Sequence, residues 1–223
     1  MHKPVAFFDV DKTITNQDTF LLLVREGLKK SPWRGVVLGS FWPLFVSTAL
    51  FGLEKRHAKG AALWALTVGL SDQAAKQWMH SVVAQAADDL WLPEALEEIQ
   101  ALETQGHEIV FVTASASAWI TPLLEARGFE QRTLIATRLK RFAGGVVVDG
   151  HNCFAEEKVR RIEETLGRAL TWAKGYSDSV ADLPMLRLCT ERILVSPLRA
   201  HEEAYRKAVG PSGYRRVEWR QKR

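Results

Sequence analysis

Short apolar runs alternate along the chain with stretches in which apolar residues recur at helical spacing. The residues at 5–8 and 109–112 form continuous apolar runs, which are typical of parallel strands buried on both faces. Further strands are predicted at 133–136, 145–148, 172–177 and 192–195. The alternation predicts an α/β fold with a doubly wound, mostly parallel sheet.

Amphipathic patterns predict the helices between these strands. A helix over 93–105 carries Ile99 and Leu102 on one side, and Gly106 is predicted to end it. Two more helices are expected at 117–127 and 156–166.

A long helical stretch separates the first strand from the rest of the predicted sheet. For about 75 residues the pattern is helical and carries no strong strand signal. Asp18 is predicted to cap a helix over 16–30. We therefore expect a core made of residues 1–14 and 92–223, with a helical cap inserted at 15–91.

The predicted cap contains nineteen consecutive uncharged residues, 35–53, a length that could just span a bilayer. A single crossing would separate strands that must share one sheet, so a simple span is not expected. Pro43 indicates a kinked helix or a helical hairpin. Two interpretations stay open. Either an apolar surface that includes Phe41 and Phe45 dips into one leaflet, or the segment is an ordinary buried cap helix.

Composition narrows the class of protein. A hydrophobic content of 47% over 223 residues excludes disordered and fibrous chains. The two cysteines, Cys153 and Cys189, argue against a disulfide framework, and no Cys or His spacing suggests a zinc site. The first strand begins too early to leave room for a secretion signal, so a cytoplasmic protein is expected.

The last ten residues are basic. Arginines and lysines outnumber the single acid Glu218, and they stand at Arg215, Arg216, Arg220, Lys222 and Arg223. Such a tail is consistent with a solvated terminus or with contact to an anionic membrane surface. A nucleic-acid partner is not expected, because no recognisable reading motif accompanies the charge.

The first strand runs directly into Asp9 and Asp11. Side chains alternate along a strand, so two carboxylates separated by one residue point in the same direction. Like charges this close require a cation, and Mg²⁺ prefers oxygen ligands and commonly accompanies phosphate. Open α/β sheets bind their ligands at the carboxyl ends of the strands, where these residues are expected to lie.

Other predicted strand and helix ends carry polar residues that can complete such a site. Thr113 and Ser115 follow the second strand, and their hydroxyl groups and neighbouring amides can bind phosphate oxygens. Asp178 and Asp182 follow a later strand and can complete the ligand set of a metal, while Lys158 can offset the negative charge. Taken singly, Thr113, Lys158 and Asp182 fit a capping or surface role better, and only the ordered set indicates a phosphate site.

The ordered set resembles the four motifs of the haloacid dehalogenase superfamily. The matching residues are Asp9-Val10-Asp11-Lys12-Thr13, Thr113, Lys158 and the segment from Asp178 to Asp182. The insert at 15–91 resembles the helical cap of the phosphoserine phosphatase-like branch, as does Gly150-His151-Asn152-Cys153-Phe154. The resemblance implies a Rossmann-like core with an inserted cap.

The same resemblance implies a mechanism. Asp9 would attack phosphorus and form an aspartyl phosphate. Asp11 would act as general acid and then as general base. Mg²⁺ would be held by the Asp9 carboxylate, a backbone carbonyl of the Val10-Asp11 segment and Asp178, with Asp182 beside or just behind them.

Four further residues are implied to contact the substrate. Thr113 and the amide after it would bind the transferring phosphoryl group, and Lys158 would neutralise its charge. Asp18 and Ser115 are the remaining expected substrate contacts.

Within the superfamily, the chain resembles the phosphatidylglycerophosphatases of the C type most. This resemblance rests on Asp18, on Leu63-Trp64 and Gly69 in the cap, and on Gly175-Tyr176-Ser177-Asp178-Ser179. It implies removal of the terminal phosphate of phosphatidylglycerophosphate at an anionic membrane, by an enzyme peripheral or monotopic on the cytoplasmic face of the inner membrane.

Two alternatives to the lipid substrate stay open. The first is a phosphatase of a small soluble monoester such as phosphoserine, although the cap has no arginine at the position where we expect phosphoserine phosphatases to bind the carboxylate. The second is a non-catalytic lipid-binding protein on the same fold.

Overall fold

The central strand of the sheet is the one that leads into Asp9. The computed structural model describes residues 3–51, 55–167, 169–170 and 172–219. The strands are β1 (Val5–Phe8), β2 (Glu108–Ala116), β3 (Thr133–Thr137), β4 (Leu139–Phe142), β5 (Gly145–Val148), β6 (Ala173–Ser177), β7 (Glu191–Val195) and β8 (Arg215–Val217). The helices are α1 (Thr19–Lys30), α2 (Trp33–Ser40), α3 (Trp42–Phe51), α4 (Lys55–Thr67), α5 (Asp72–Leu90), α6 (Pro93–Thr104), α7 (Ser117–Glu125), α8 (Glu156–Leu166), α9 (Leu183–Arg187) and α10 (Arg199–Val209).

Six strands form one parallel sheet in the order β3-β2-β1-β6-β7-β8. The order reverses at β1, as in a doubly wound fold, and the predicted fold class is confirmed. β1 is buried on both faces, because Phe8 packs into one apolar core and Phe7 into the other. The unbroken apolar run at 5–8 reflects this double burial.

β5 does not belong to this sheet, contrary to the sequence-based expectation. It pairs antiparallel with β4, a strand that was not predicted, and this hairpin lies against α4 of the predicted cap. The indole Nε1 of Trp64 donates to the carbonyl of Ala143 (3.0 Å), and the amide of Val146 donates to Thr67 Oγ1 (2.8 Å). A Cβ on Gly145 would lie 2.6 Å from the Trp64 ring, so glycine is what permits the close approach.

Part of the basic tail is folded, so residues 215–219 are not frayed, although Arg215 and Arg216 are exposed to solvent as a solvated terminus predicts. β8 pairs parallel with β7, and Arg216 forms an ion pair with Glu202 (2.9 Å). The Trp219 ring stacks on Tyr176 with 6.0 Å between ring centroids. β8 was missed because it is short and charged. Arg220, Lys222 and Arg223 lie outside the described residues.

Helices α1 to α5 all lie between β1 and β2 in the chain, and the two ends of this insert meet. Thr15 and Trp91 form an isolated antiparallel bridge, and the amide of Leu92 donates to the carbonyl of Ile14 (2.9 Å). The meeting point falls where the sequence pattern separates core from cap. The division into core and cap stays a prediction.

The uncharged stretch forms two short helices that are interrupted at Phe41, as far as residue 51; residues 52 and 53 lie outside the described part. The Phe41 ring is partly buried and packs edge-on against Trp64 (5.8 Å between centroids), and contact of Phe41 and Phe45 with lipid stays a prediction. Within the described residues, no helix is both long and apolar enough to cross a membrane.

Other apolar side chains of the same two helices are exposed. The exposed fractions are 55% for Trp33, 79% for Val36, 68% for Trp42 and 72% for Leu50. We call these four residues the exposed apolar set.

A substitution at Gly175 in β6 can test the packing of α9 against the sheet. An added Cβ would lie 2.6 Å from Leu186 Cδ2 and 2.7 Å from Cys189 Sγ. Gly175→Ala is therefore expected to lower the free energy of unfolding by about 1–3 kcal/mol, as measured by urea denaturation. Gly39→Ala is the control, because none of the described residues outside its own helix would lie within 4 Å of a Cβ at that position in α2. Equal unfolding free energies for the two variants would contradict the packing.

Candidate active site

A buried lysine joins two carboxylates at the centre of the site. Asp9 directly follows β1, and Lys158 is the third residue of α8. Lys158 Nζ donates to Asp9 Oδ1 (2.7 Å) and also lies 2.8 Å from Asp182 Oδ1. All three side chains are buried, so the interaction is screened very little by water. The structure therefore brings three of the predicted site residues into direct contact.

The cluster carries more negative than positive charge. Burial raises the pKa of Asp9; Lys158 opposes this, while Asp182 and Asp178 add to it. Burial, followed by repulsion from Asp182, raises the pKa of Asp178 to about 6. Burial lowers the pKa of Lys158, but attraction to Asp182 and Asp9 outweighs it and the net pKa is raised. A further cation would relieve the repulsion between the carboxylates.

Two hydroxyl groups to which the sequence pattern assigned no role hold these carboxylates in place. Thr13 Oγ1 donates to Asp9 Oδ2 (3.1 Å) and accepts a hydrogen bond from the amide of Asp178 (3.0 Å). Ser177 Oγ donates to Asp182 Oδ2 (2.7 Å). Thr13 thus links the loop after β1 to the loop after β6. Both residues lie within the motifs, which is the signal that could have found them.

Asp11 is held separately from the Asp9 cluster. Its Oδ1 accepts hydrogen bonds from the amide and hydroxyl of Thr19, both at 2.7 Å, and its Oδ2 accepts one from Ser115 Oγ at 2.5 Å. Burial and the nearby charge of Asp18 raise the pKa of Asp11, and the hydrogen bonds from Ser115 and Thr19 oppose that rise. The predicted substrate contact Ser115 therefore binds Asp11 in this structure.

Thr113 and Asp18 occupy local structural positions. β2 carries an irregularity between Thr113 and Ala116, and there Thr113 Oγ1 accepts a hydrogen bond from the amide of Ser115 (3.0 Å). Because Phe111 pairs with Phe8, Thr113 lies at the same end of the sheet as Asp9. Asp18 caps α1 by accepting from the amide of Leu21 (3.0 Å), as predicted.

The residues at the site suit an oxygen-bound cation such as Mg²⁺. The carboxylate oxygens of Asp9, Asp11 and Asp182 already accept hydrogen bonds or lie beside Lys158, so a cation would share them with those donors. Among the described residues, no three His, Cys, Asp or Glu side chains are grouped to hold an ion by themselves. Asp9 and Asp178 with a backbone carbonyl are the expected donors; burial is the main cause of their raised pKa values, and repulsion from neighbouring carboxylates adds to it.

Comparison with known proteins identifies the family. The sequence profile described as haloacid dehalogenase-like hydrolase matches residues 6–187. The chain belongs to the haloacid dehalogenase-like hydrolases. This hydrolase is 30% identical over 201 residues to protein CicA of Caulobacter vibrioides, with 86% of each chain covered. It is 28% identical over 215 residues to a probable phosphatase of Mycobacterium tuberculosis, covering 88% of this chain and 70% of the relative.

Solved structures share its fold. A protein of unknown function from Bordetella pertussis superimposes with a TM-score of 0.77 at 23% identity, covering 97% of this hydrolase and 99% of that chain. Phosphoserine phosphatase in its apo form gives a TM-score of 0.57 at 17% identity, covering 91% and 90%. The predicted phosphatase-like hydrolase is confirmed. The closer resemblance to the phosphatidylglycerophosphatases stays a prediction.

The predicted metal site can be tested with Asp178→Asn. The raised folded pKa means that ionised Asp178 destabilises the metal-free protein above about pH 6. Without metal at pH 7.5, the free energy of unfolding of the variant is therefore expected to be roughly 1–3 kcal/mol higher than that of the wild type. Added Mg²⁺ should stabilise the wild type and should have little effect on the variant.

Thermal unfolding in EDTA and in Mg²⁺ provides the measurement, and Asp88→Asn provides the control. Asp88 is 85% exposed and should respond to Mg²⁺ as the wild type does. Equal stabilisation of Asp178→Asn by Mg²⁺ would remove Asp178 from the predicted ligand set.

Proposed function

We propose that the protein is a Mg²⁺-dependent phosphomonoester hydrolase that acts through an aspartyl phosphate on Asp9. The observation that carries this proposal is the buried contact of Lys158 with Asp9 and Asp182 at the carboxyl end of β1. Membership of the haloacid dehalogenase-like hydrolases supports it. Phosphoryl transfer is catalysed mainly by positioning and charge, and this site supplies both.

The two aspartates have different environments that suit different roles. In the proposed first step, an Asp9 oxygen bonds to phosphorus while the bond to the leaving oxygen breaks. Lys158 favours the ionised form of Asp9 that this attack requires. The raised pKa of Asp11 favours the protonated form, which can give its proton to the leaving alcohol.

In the second step, Asp11 takes a proton from the water that hydrolyses the aspartyl phosphate, and inorganic phosphate leaves. Thr113 and Lys158 bind the phosphoryl oxygens throughout. When bound by Asp9, Asp178 and a backbone carbonyl, Mg²⁺ would supply positive charge that offsets the carboxylates and the phosphate.

For the substrate, we propose phosphatidylglycerophosphate at an anionic membrane on the cytoplasmic face. The supporting observation is the exposed apolar set on α2 and α3. Lys29 and Lys30 precede it, and no acidic residue occurs from 27 to 53. Exposed Trp, Val and Leu side chains beside lysines complement a negatively charged lipid surface. Arg216 in the basic tail contributes less to the attraction for a negatively charged surface, because Glu202 and Glu218 pair with it.

The alternative is a small soluble monoester such as phosphoserine. Fold similarity favours it, since substrate-bound phosphoserine phosphatase superimposes with a TM-score of 0.58 at 18% identity. A non-catalytic lipid-binding protein is the third candidate. The complete contact among Asp9, Lys158 and Asp182 weighs against it, because a binding protein has no use for a buried nucleophile.

Phosphate release with Mg²⁺ tests the activity and the substrate together. Phosphatidylglycerophosphate in mixed micelles is expected to react faster than phosphoserine in plain buffer. Asp9→Asn should reduce release to the level without enzyme, because the amide cannot form the acyl phosphate. Asp149→Asn is the control, since Asp149 pairs with Lys140 at the surface and should keep wild-type rates.

Phosphate release from Asp9→Asn at the wild-type rate would rule out the mechanism. Preference for phosphoserine would favour the soluble substrate. Absence of release from both substrates by the wild type would favour the lipid-binding protein.

Membrane contact can be tested with the double variant Val36→Glu/Trp42→Glu. Each substitution replaces exposed apolar surface with charge, so binding to vesicles rich in phosphatidylglycerol should fall roughly tenfold or more. Flotation of the protein with vesicles measures the bound fraction. Phe142→Glu is the matched control, because Phe142 is similarly exposed (63%) but lies on the β4-β5 hairpin. Unchanged flotation of the double variant would rule out the exposed apolar set as the contact.

A further inference from the structure

A second, partly buried lysine lies on the cap side of the site. Lys59 belongs to α4, and its Nζ donates to the carbonyl of Ala114 (2.7 Å). The ammonium lies 5.1 Å from the centre of the Phe20 ring and 5.8 Å from that of Trp119. Burial lowers the pKa of Lys59, and Asp11 and Asp18 oppose that shift. No sequence pattern singled out this lysine.

Lys59 and Lys158 lie on different sides of the reacting centre. Lys158 contacts Asp9, the proposed nucleophile. Lys59 lies beside residues that hold Asp11, the proposed acid. Its acceptor Ala114 precedes Ser115, whose hydroxyl donates to Asp11 Oδ2.

A second connection runs through the aromatic rings. Trp119 Nε1 donates to Thr19 Oγ1 (3.1 Å), which in turn donates to Asp11 Oδ1 (2.7 Å). Lys59 also lies over the Trp119 ring. The bond to Ala114 and the contact with Trp119 therefore both place Lys59 on the side of the site where Asp11 lies. The acid must lie next to the leaving oxygen, and Lys59 therefore lies where the rest of the leaving group would be.

The Lys59 ammonium has more hydrogen-bond donors than the described residues offer acceptors. It carries three donors, and the carbonyl of Ala114 is the one acceptor that the described residues place within bonding distance. The aromatic rings of Phe20 and Trp119 lie beside the ammonium, and the side chain is partly buried. A partly buried cation with unused donors can bind an anion through charge-assisted hydrogen bonds.

We propose that Lys59 binds a negatively charged group on the leaving-group portion of the substrate, and so selects phosphomonoesters that carry a second anion. The phosphodiester of phosphatidylglycerophosphate and the carboxylate of phosphoserine both supply this chemistry. The inference rests on the proposed function, because Asp11 identifies the leaving-group side. Lys59 is a specificity residue in this proposal and takes no part in the bond changes.

The test compares kcat/KM for three substrates. Phosphatidylglycerophosphate in mixed micelles and phosphoserine each carry a second anion, and glycerol 3-phosphate has a neutral leaving group. Lys59→Gln should lower kcat/KM about 10- to 100-fold for a substrate whose anion Lys59 binds, mainly through KM. The loss for glycerol 3-phosphate should be at least about tenfold smaller. Lys59→Arg keeps the charge and should restore most of the lost activity.

Lys76→Gln is the matched control, because it removes a cap lysine that is largely exposed and paired with Asp72. It should match the wild type on all three substrates. A selective loss for the lipid alone, or for phosphoserine alone, supports the proposal and identifies the source of the anion. Equal losses on all three substrates, or no loss, would overturn it.

The wild type alone gives a second measurement that does not depend on the folding of any variant. If it hydrolyses glycerol 3-phosphate as efficiently as both anion-bearing substrates, the proposed selection is absent. Failure of the proposed function has a different outcome, because wild-type release would then equal that of Asp9→Asn on every substrate.

Discussion

The contact of Lys158 with Asp9 and Asp182 is the interaction on which the site depends. Three carboxylates, those of Asp9, Asp178 and Asp182, approach one another at the carboxyl ends of β1 and β6. Their mutual repulsion would oppose folding without a cation at the centre. A buried charge that loses its partner typically costs about 3–5 kcal/mol, so the ammonium holds α8 against the sheet and contacts the proposed nucleophile.

The opposite side of the site depends on the cap. Thr19, the first residue of α1, and Ser115, a buried residue near the end of β2, together bind both oxygens of Asp11. The orientation of the proposed acid is thereby coupled to the position of a cap helix. Lys59 on α4 reaches the same region, so two helices of the insert between β1 and β2 contribute to the proposed leaving-group side.

The β4-β5 hairpin explains why one part of the cap is buried and another is exposed. It covers α4, where Trp64 and Thr67 bond to the hairpin backbone. α2 and α3 lie farther along the cap surface and keep Trp42 and Val36 exposed. Phe41, which is partly buried against Trp64, is less exposed than the exposed apolar set.

The sequence by itself determined the parallel sheet, the placement of the long helical insert and the positions of Asp9, Thr113, Lys158 and Asp178. Continuous apolar runs and helical spacing are local signals, and a strand end places its polar residues without help from distant parts of the chain. Tertiary structure decided the partner of β5 and the folding of β8, whose short or charged sequences carry little local preference.

Tertiary structure alone also decided which side chains meet across the site. Thr13 bonds to the amide of Asp178, 165 positions later, and Lys59 reaches the carbonyl of Ala114 from another helix. No spacing along the chain records such contacts, because they arise when separate elements pack together. The sequence therefore specifies which chemistry the site contains, while packing of the cap on the sheet specifies how its groups are oriented.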